Sequence, residues 1–194
     1  MALPNLIETA YNRRIELMQS LKSEDTNAFR LFHGIGEGFP GLSLDIYGNL
    51  LLIQTYRDIL TGTQLDQIRI TVRECLSISI PAVYRHREKN RANLIHRDPE
   101  VTEAEFLCRE QGCLFEVLNF KQGLDPLLFL DIRSGRRHLS RICKDRSVLN
   151  LFAYTCAAGV IAASSSASSV INIDFSETWL GHGRQNAKHN DISK

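Results

Sequence analysis

Apolar residues recur at helical spacing from Leu6 to Leu21: Ile7, Tyr11, Ile15 and Met18 form one stripe, Leu6, Ala10, Leu17 and Leu21 its flank, with Arg13, Arg14 and Glu16 between them. The pattern predicts one amphipathic helix. A glycine-rich stretch, 34–41, then leads into two apolar runs, Leu42 to Tyr47 and Leu50 to Tyr56, separated by Gly48-Asn49. Two such runs around a two-residue turn predict a β-hairpin. Helical spacing returns from Thr63 to Cys75 through Leu65, Ile68 and Val72, and Ala82-Val83-Tyr84 reads as a short strand. These elements make a small α+β module, bounded at residues 1–104.

A second domain is expected over 105–194. Leu107 to Phe120 suggests another hairpin around Gln111-Gly112, and Asp125-Pro126 is expected to open a helix, Asp as cap and Pro at the first helical position. After Asp145 the pattern becomes an apolar strand (Val148 to Phe152), a small-residue turn, a helix (Ala157 to Ser165), a second strand (Val170 to Asp174) and a helix capped by Ser176. That order is the β-α-β-α opening of a parallel α/β sheet. Only its first two strands are present. Leaving Val148 to Phe152 unpaired on one side would expose a sticky edge.

Composition narrows the picture modestly. Twenty-three Lys and Arg against twenty-two Asp and Glu leave the chain nearly neutral, so any nucleic-acid contact must come from local clustering. The five cysteines form no C-x-x-C pair and no zinc-like spacing with histidine, which fits a reducing compartment and predicts no metal. No apolar run is long enough for a signal peptide or a membrane span, so a cytoplasmic protein without membrane contact is expected.

The informative constellation is the turn Phe152-Ala153-Tyr154-Thr155-Cys156 after one strand, with Asp174 ending the next, twenty-two residues beyond Phe152. A nucleotide-like ligand needs a turn that its atoms can approach and an acidic side chain about twenty residues on to take ribose hydroxyls. The same spacing also arises when an Asp merely ends a strand above a helix. The turn lacks G-x-G-x-x-G, so a pyrophosphate-bearing dinucleotide is disfavoured.

The words of the sequence add to the spacing. Val148-Leu149-Asn150-Leu151-Phe152-Ala153-Tyr154-Thr155-Cys156 followed by Val170-Ile171-Asn172-Ile173-Asp174-Phe175-Ser176 resembles the S-adenosylmethionine (SAM) motifs of the bacterial 23S rRNA (cytosine-C5) methyltransferase family and its relatives. Phe129-Leu130-Asp131-Ile132-Arg133 with Arg136-Arg137, and His33-Gly34 with Phe39-Pro40-Gly41-Leu42 and Asp45-Ile46-Tyr47-Gly48, resemble two further segments of that family in the same order. The resemblance implies a class I, Rossmann-like methyltransferase domain, here incomplete, behind the α+β module, and an enzyme acting on a base of ribosomal RNA. It implies that Asn150, Phe152, Tyr154 and Thr155 surround the methionine and sulfonium part of SAM, that Asp174 holds the ribose and Phe175 borders the adenine. Asp131 and Arg133 would face the cofactor or support its loop. Relatives carry glycine close behind the Tyr-Thr pair, whereas this chain has Cys156-Ala157-Ala158 before Gly159, so a left-handed residue there would be strained.

Cys156 is not expected to be a nucleophile: in the resembling family the attacking cysteine lies in a C-terminal half, and a small buried residue suffices here. No catalytic residue is assigned. Arg133, Arg137 and Arg141 share a helical face that could meet phosphate or simply be solvated. Arg85, Arg87, Lys89 and Arg91 beside Tyr84 form a basic stretch suited to RNA, or an ordinary exposed loop. His33 suits a phosphate or turn packing. The absence of an Asp-Pro-Pro-like turn after a later strand implies that no complete active site forms from this chain alone; the chain is expected to be a truncated product or fragment that lacks a C-terminal half, or to be completed by a partner such as a second copy (a homo-oligomer). The alternative is a noncatalytic RNA- or protein-binding remnant with a vestigial SAM site.

Overall fold

The computed structural model describes residues 2–88, 91–101, 106–117 and 125–192, with no side-chain description for 88 and 91–94. The α/β chain divides into two compact units: unit 1 comprises Met1–Ser23, Asn27–Ala104 and Phe120–Leu124, and unit 2 Glu24–Thr26, Glu105–Asn119 and Asp125–Lys194.

In unit 1 the expected single helix is two, α1 (Leu3–Asn12) and α2 (Ile15–Ser23). No Pro or Gly causes the break. The Arg14 guanidinium donates to the Ala10 carbonyl (2.9 Å), which a continuous helix would reserve for the Arg14 N–H, and that N–H turns to Tyr11 instead (2.8 Å). The same side chain reaches the Arg30 carbonyl and pairs with Glu37.

Five strands follow in spatial order β1 (Ala28–His33), β2 (Leu42–Tyr47), β3 (Leu50–Thr55), β4 (Ala82–Glu88) and β5 (Arg91–Arg97). All neighbours are antiparallel except β3 and β4, which are parallel and joined by α3 (Gly62–Leu76). A parallel pair needs such a crossover, and Thr61 with Gln64 starts it as a reciprocal capping box. The β2–β3 hairpin turns at Gly48-Asn49 as expected, Gly48 supplying φ = 61°. β1 was not foreseen, and the supposed loop after Tyr84 is the β4–β5 hairpin. Leu31, Phe32, Leu44, Ile46, Ile53 and Tyr84 build the core with Ile7 and Ile68.

Unit 2 holds the hairpin β6 (Leu107–Glu110) and β7 (Cys113–Glu116), then α4 (Arg133–Ile142), β8 (Ser147–Leu151), α5 (Ala157–Ser164), β9 (Ser169–Ile173) and α6 (Glu177–His189). Gln111 and Gly112, both with positive φ, make the hairpin turn. β8 and β9 are parallel, joined by α5, and Ser176 caps α6 as expected. One face of this pair packs on α5; the other leaves Leu149, Leu151, Ile171 and Ile173 half exposed.

The helix expected at Asp125-Pro126 does not form; α4 begins only at Arg133. The intervening backbone spends its polar groups on tertiary partners. The Leu127 N–H donates to the Val117 carbonyl (2.8 Å), while the carbonyls of Pro126, Leu127 and Phe129 accept Tyr154 Oη, Thr155 Oγ1 and Arg136 Nη2. Leu127 and Leu128 are fully buried.

Glu110, which has no solvent exposure, accepts Arg133 Nε (2.9 Å) and Arg136 Nε (2.5 Å), joining β6 to the first turn of α4. Burial pushes its carboxyl up, but hydrogen bonding and charge from Arg136 and then Arg133 outweigh this and hold it below the ordinary glutamate range. A carboxylate lowered on folding adds stability that is complete above its unfolded value of about 4.3 and is lost as pH falls through the folded one. Unit 2 should therefore hold its urea midpoint, read from Trp179, the single tryptophan, down to about pH 5 and lose it progressively below about pH 4. Glu110→Ala should lower stability at neutral pH by about 3–5 kcal/mol by stranding two buried guanidinium groups; a midpoint within error of the parent would refute that role. Gly159→Ala puts a Cβ 2.2 Å from Asn172 Oδ1, and should destabilise the same unit by about 1–3 kcal/mol.

Candidate functional site

β8 and β9 end side by side, with Leu151 opposite Ile173, and the turn 152–156 and residues 174–176 emerge from their carboxyl ends. In open α/β sheets that edge is where ligands bind. Phe152, Tyr154 and Cys156 all have left-handed backbone (φ = 54°, 49° and 59°), alternating with residues of negative φ. Such alternation curls a chain so that its N–H groups face a common hollow. For non-glycine residues each left-handed position costs on the order of 1–3 kcal/mol, so the surroundings must enforce it. The strain anticipated behind Tyr154-Thr155 falls on Cys156.

Two side chains from elsewhere, Asp174 and Asn186, and one of its own, Thr155, enforce the turn. Asp174 accepts the Tyr154 N–H (2.8 Å) with one carboxylate oxygen and the Ser176 N–H (2.9 Å) with the other, while the Ala153 N–H donates to the Ile173 carbonyl. Thr155, 1% exposed, donates to the Leu127 carbonyl at 2.5 Å. Asn186 of α6, also buried, donates to the Thr155 carbonyl (3.0 Å) and accepts the Glu116 N–H (2.9 Å), tying β7 to the turn. One helical turn on, Asn190 exchanges two hydrogen bonds with Leu114. Sequence reasoning missed both asparagines. Asn186 lies within α6 and Asn190 is its C-cap, and nothing local to that helix marks either as the partner of a strand so far back in the chain.

The sequence-predicted residues divide by location. Phe152 and Phe175 are 85% and 93% exposed, on either side of the strand ends that carry the Asp174 carboxylate. Nothing in core packing calls for two exposed phenylalanines there. Asp131 is exposed in the segment before α4. The Tyr154 ring lies between Phe129 and Trp179, with centroids at 5.1 and 4.8 Å. Asn150 donates to Asn172 Oδ1 (2.8 Å), and Gly159 is the residue that lets α5 close over this amide pair. Arg133 is buried against Glu110.

α5 starts behind Cys156 with no side-chain cap, so its first N–H groups face the turn unclaimed by a side chain. Cys156 itself is buried, and burial followed by the Asp174 charge pushes its thiol up to about 11. A thiol so protonated at neutral pH is no nucleophile. Among the described residues no cluster of His, Cys, Asp or Glu is arranged to hold a metal, and no helix is long and apolar enough to cross a membrane.

The basic stretch proposed for RNA lies on the β4–β5 hairpin. Arg85 is only 4% exposed, within the sheet and out of phosphate reach, because β4 continues through it instead of ending at Tyr84. Arg87 is half-buried with its guanidinium 5.7 Å from the Tyr56 ring centre. Lys89 lies outside the described residues, as does the side chain of Arg91.

Residues 29–193 match the family model for S-adenosylmethionine-dependent methyltransferase. The ribosomal RNA large subunit methyltransferase K/L of Colwellia psychrerythraea is 32% identical over 181 residues, 89% of this chain and 25% of its own length. A Streptococcus mutans protein assigned as a SAM-dependent methyltransferase superposes with a TM-score of 0.80 at 27% identity, over 98% of this chain and 49% of that one. A methyltransferase-assigned structure complexed with SAH gives 0.81 at 27% identity, over 98% and 48%. The chain thus spans about a quarter of the length of the curated relatives it matches and about half that of the solved ones. With 165 consecutive residues covered by one model and the turn and acidic strand end both inside that span, the chain belongs to the S-adenosylmethionine-dependent methyltransferase family.

Proposed function

We propose that this chain binds SAM at the carboxyl ends of β8 and β9 and serves the methylation of a base in large-subunit ribosomal RNA. The observation that carries the first part is the Asp174 carboxylate. Each of its oxygens accepts one backbone N–H, and a carboxylate has about four lone-pair sites, so capacity remains for the two hydroxyls of a ribose. Phe175 beside it offers an exposed ring face to a purine. The uncapped start of α5 suits the carboxylate of a methionine moiety. SAM, when bound, supplies a methyl group on a sulfonium centre; the protein's part here is to hold the ribose, flank the base and fix the turn.

The RNA part follows the names of the curated relatives, which are ribosomal RNA large subunit methyltransferases. A cytosine-C5 acceptor, implied by the sequence resemblance, would require a thiolate to add to the ring. Cys156 does not supply it, so within this reading another thiol does or the acceptor is another base. Arg87 and the β4–β5 hairpin remain a candidate RNA contact.

Calorimetric titration of SAM and of SAH into the chain, alongside Trp179 emission, tests the cofactor reading. One saturable site is expected, with emission changing as Tyr154 shifts against Trp179. Asp174→Ala should weaken binding about 10- to 100-fold through loss of charge-assisted hydrogen bonds. Phe175→Ala should weaken it severalfold through lost stacking while leaving the unfolding midpoint unchanged, because that ring supports nothing within the fold. No heat and no emission change at millimolar SAM would sink the proposal.

A further inference from the structure

Unit 1 carries a polar row across its sheet. His33 on β1 is in register with Ser43 on β2, Ser43 with Gln54 on β3, and Gln54 with Arg85 on β4, so the four share one face, opposite the face packed on α1 and α3. Ser43 and Gln54 are 3% and 2% exposed, yet Ser43 Oγ and Gln54 Nε2 have no hydrogen-bond partner among the described residues. Native proteins rarely bury one unsatisfied polar atom, because doing so forfeits its hydration without return. Of the two, Ser43 also lines a cavity, so its hydroxyl is the one placed to take a partner from outside.

Ser43 lines a cavity of about 270 Å³ together with Arg30, His33, Gly41, Tyr56 and Arg57. Gly41, at φ = +94°, has no room for a side chain: a Cβ would lie 2.9 Å from Arg57 Cγ, so the arginine stem rests on bare backbone at the cavity rim. Arg30 is held by Asp45 through two hydrogen bonds, at 2.7 and 2.9 Å. Arg57 makes no ion pair among the described residues. Tyr56, 46% exposed, presents a ring whose other neighbour is the Arg87 guanidinium.

We propose that this cavity is a subsite for a single unstacked RNA nucleotide, its base stacked on Tyr56, its base edge meeting Ser43 in the cavity lining, and its phosphodiester at Arg57 and His33. The chemistry selects that ligand class. A cation and an aromatic face suit single strands of any sequence, whereas a neutral hydroxyl in the lining suits the carbonyl and imino acceptors of a base. The volume lies at the small end of ligand pockets and admits one nucleoside, not a duplex. The inference rests on the RNA reading of the preceding subsection and is independent of the SAM site.

The test is fluorescence anisotropy of a fluorescein-labelled ten-nucleotide single-stranded RNA with the full chain at several salt concentrations. Ser43→Ala and Tyr56→Leu should each weaken binding roughly 3- to 10-fold, and Arg57→Gln should lower the slope of log affinity against log salt by about one. Thermal unfolding separates ligand from scaffold roles: removing an orphan hydroxyl should leave the Ser43→Ala midpoint equal to the parent or higher. Parent-like RNA binding by both Ser43→Ala and Tyr56→Leu would overturn the subsite while leaving the RNA reading intact. A parent chain that binds no RNA would overturn both, and the SAM titration would still stand on its own outcome.

Discussion

Unit 2 is organised around a carboxylate that water does not reach. Glu110 draws Arg133 and Arg136 inward, which fixes where α4 begins, and Arg136 also takes the Phe129 carbonyl. The segment just before α4 is thereby held out of the helix, with the carbonyls of Pro126 and Leu127 accepting from Tyr154 and Thr155. A buried ion pair often adds little net stability over an apolar substitute. What this one provides is geometry: it transmits the position of a hairpin on one side of the unit to the backbone of a turn on the other.

Much of this architecture was legible in the chain. The strand-helix-strand-helix order after Asp145, the Gly48-Asn49 and Gln111-Gly112 turns and the Ser176 cap are local signals with local causes, and each appears where its residues put it. The misplaced elements have non-local causes. Arg14 breaks a helix by taking a carbonyl that only the folded neighbourhood makes available to it, and Asp125-Pro126 fails as a cap because the carbonyls behind it are claimed from residues 154, 155 and 136. β1 carries apolar residues on both faces, and such a run has no alternation to read.

The candidate site shows the same division. Phe152, Asp174 and Phe175 could be named from spacing and resemblance, since the strand ends alone place them. Asn186 and Asn190 could not, because each works by satisfying backbone groups of a strand some seventy residues earlier. The polar row of unit 1 was equally hidden: Ser43 and Gln54 look unremarkable in the chain, and only the register of β2 against β3 makes them neighbours.

Asp174 carries two obligations at once. One oxygen holds the left-handed Tyr154 in place, the other shapes the approach to α6, and both are accounted for before any ligand arrives. Its evolutionary freedom is correspondingly small. A drift to another residue would release the Tyr154 and Ser176 backbone together, so a substitution at this one position reshapes both the turn behind β8 and the start of α6.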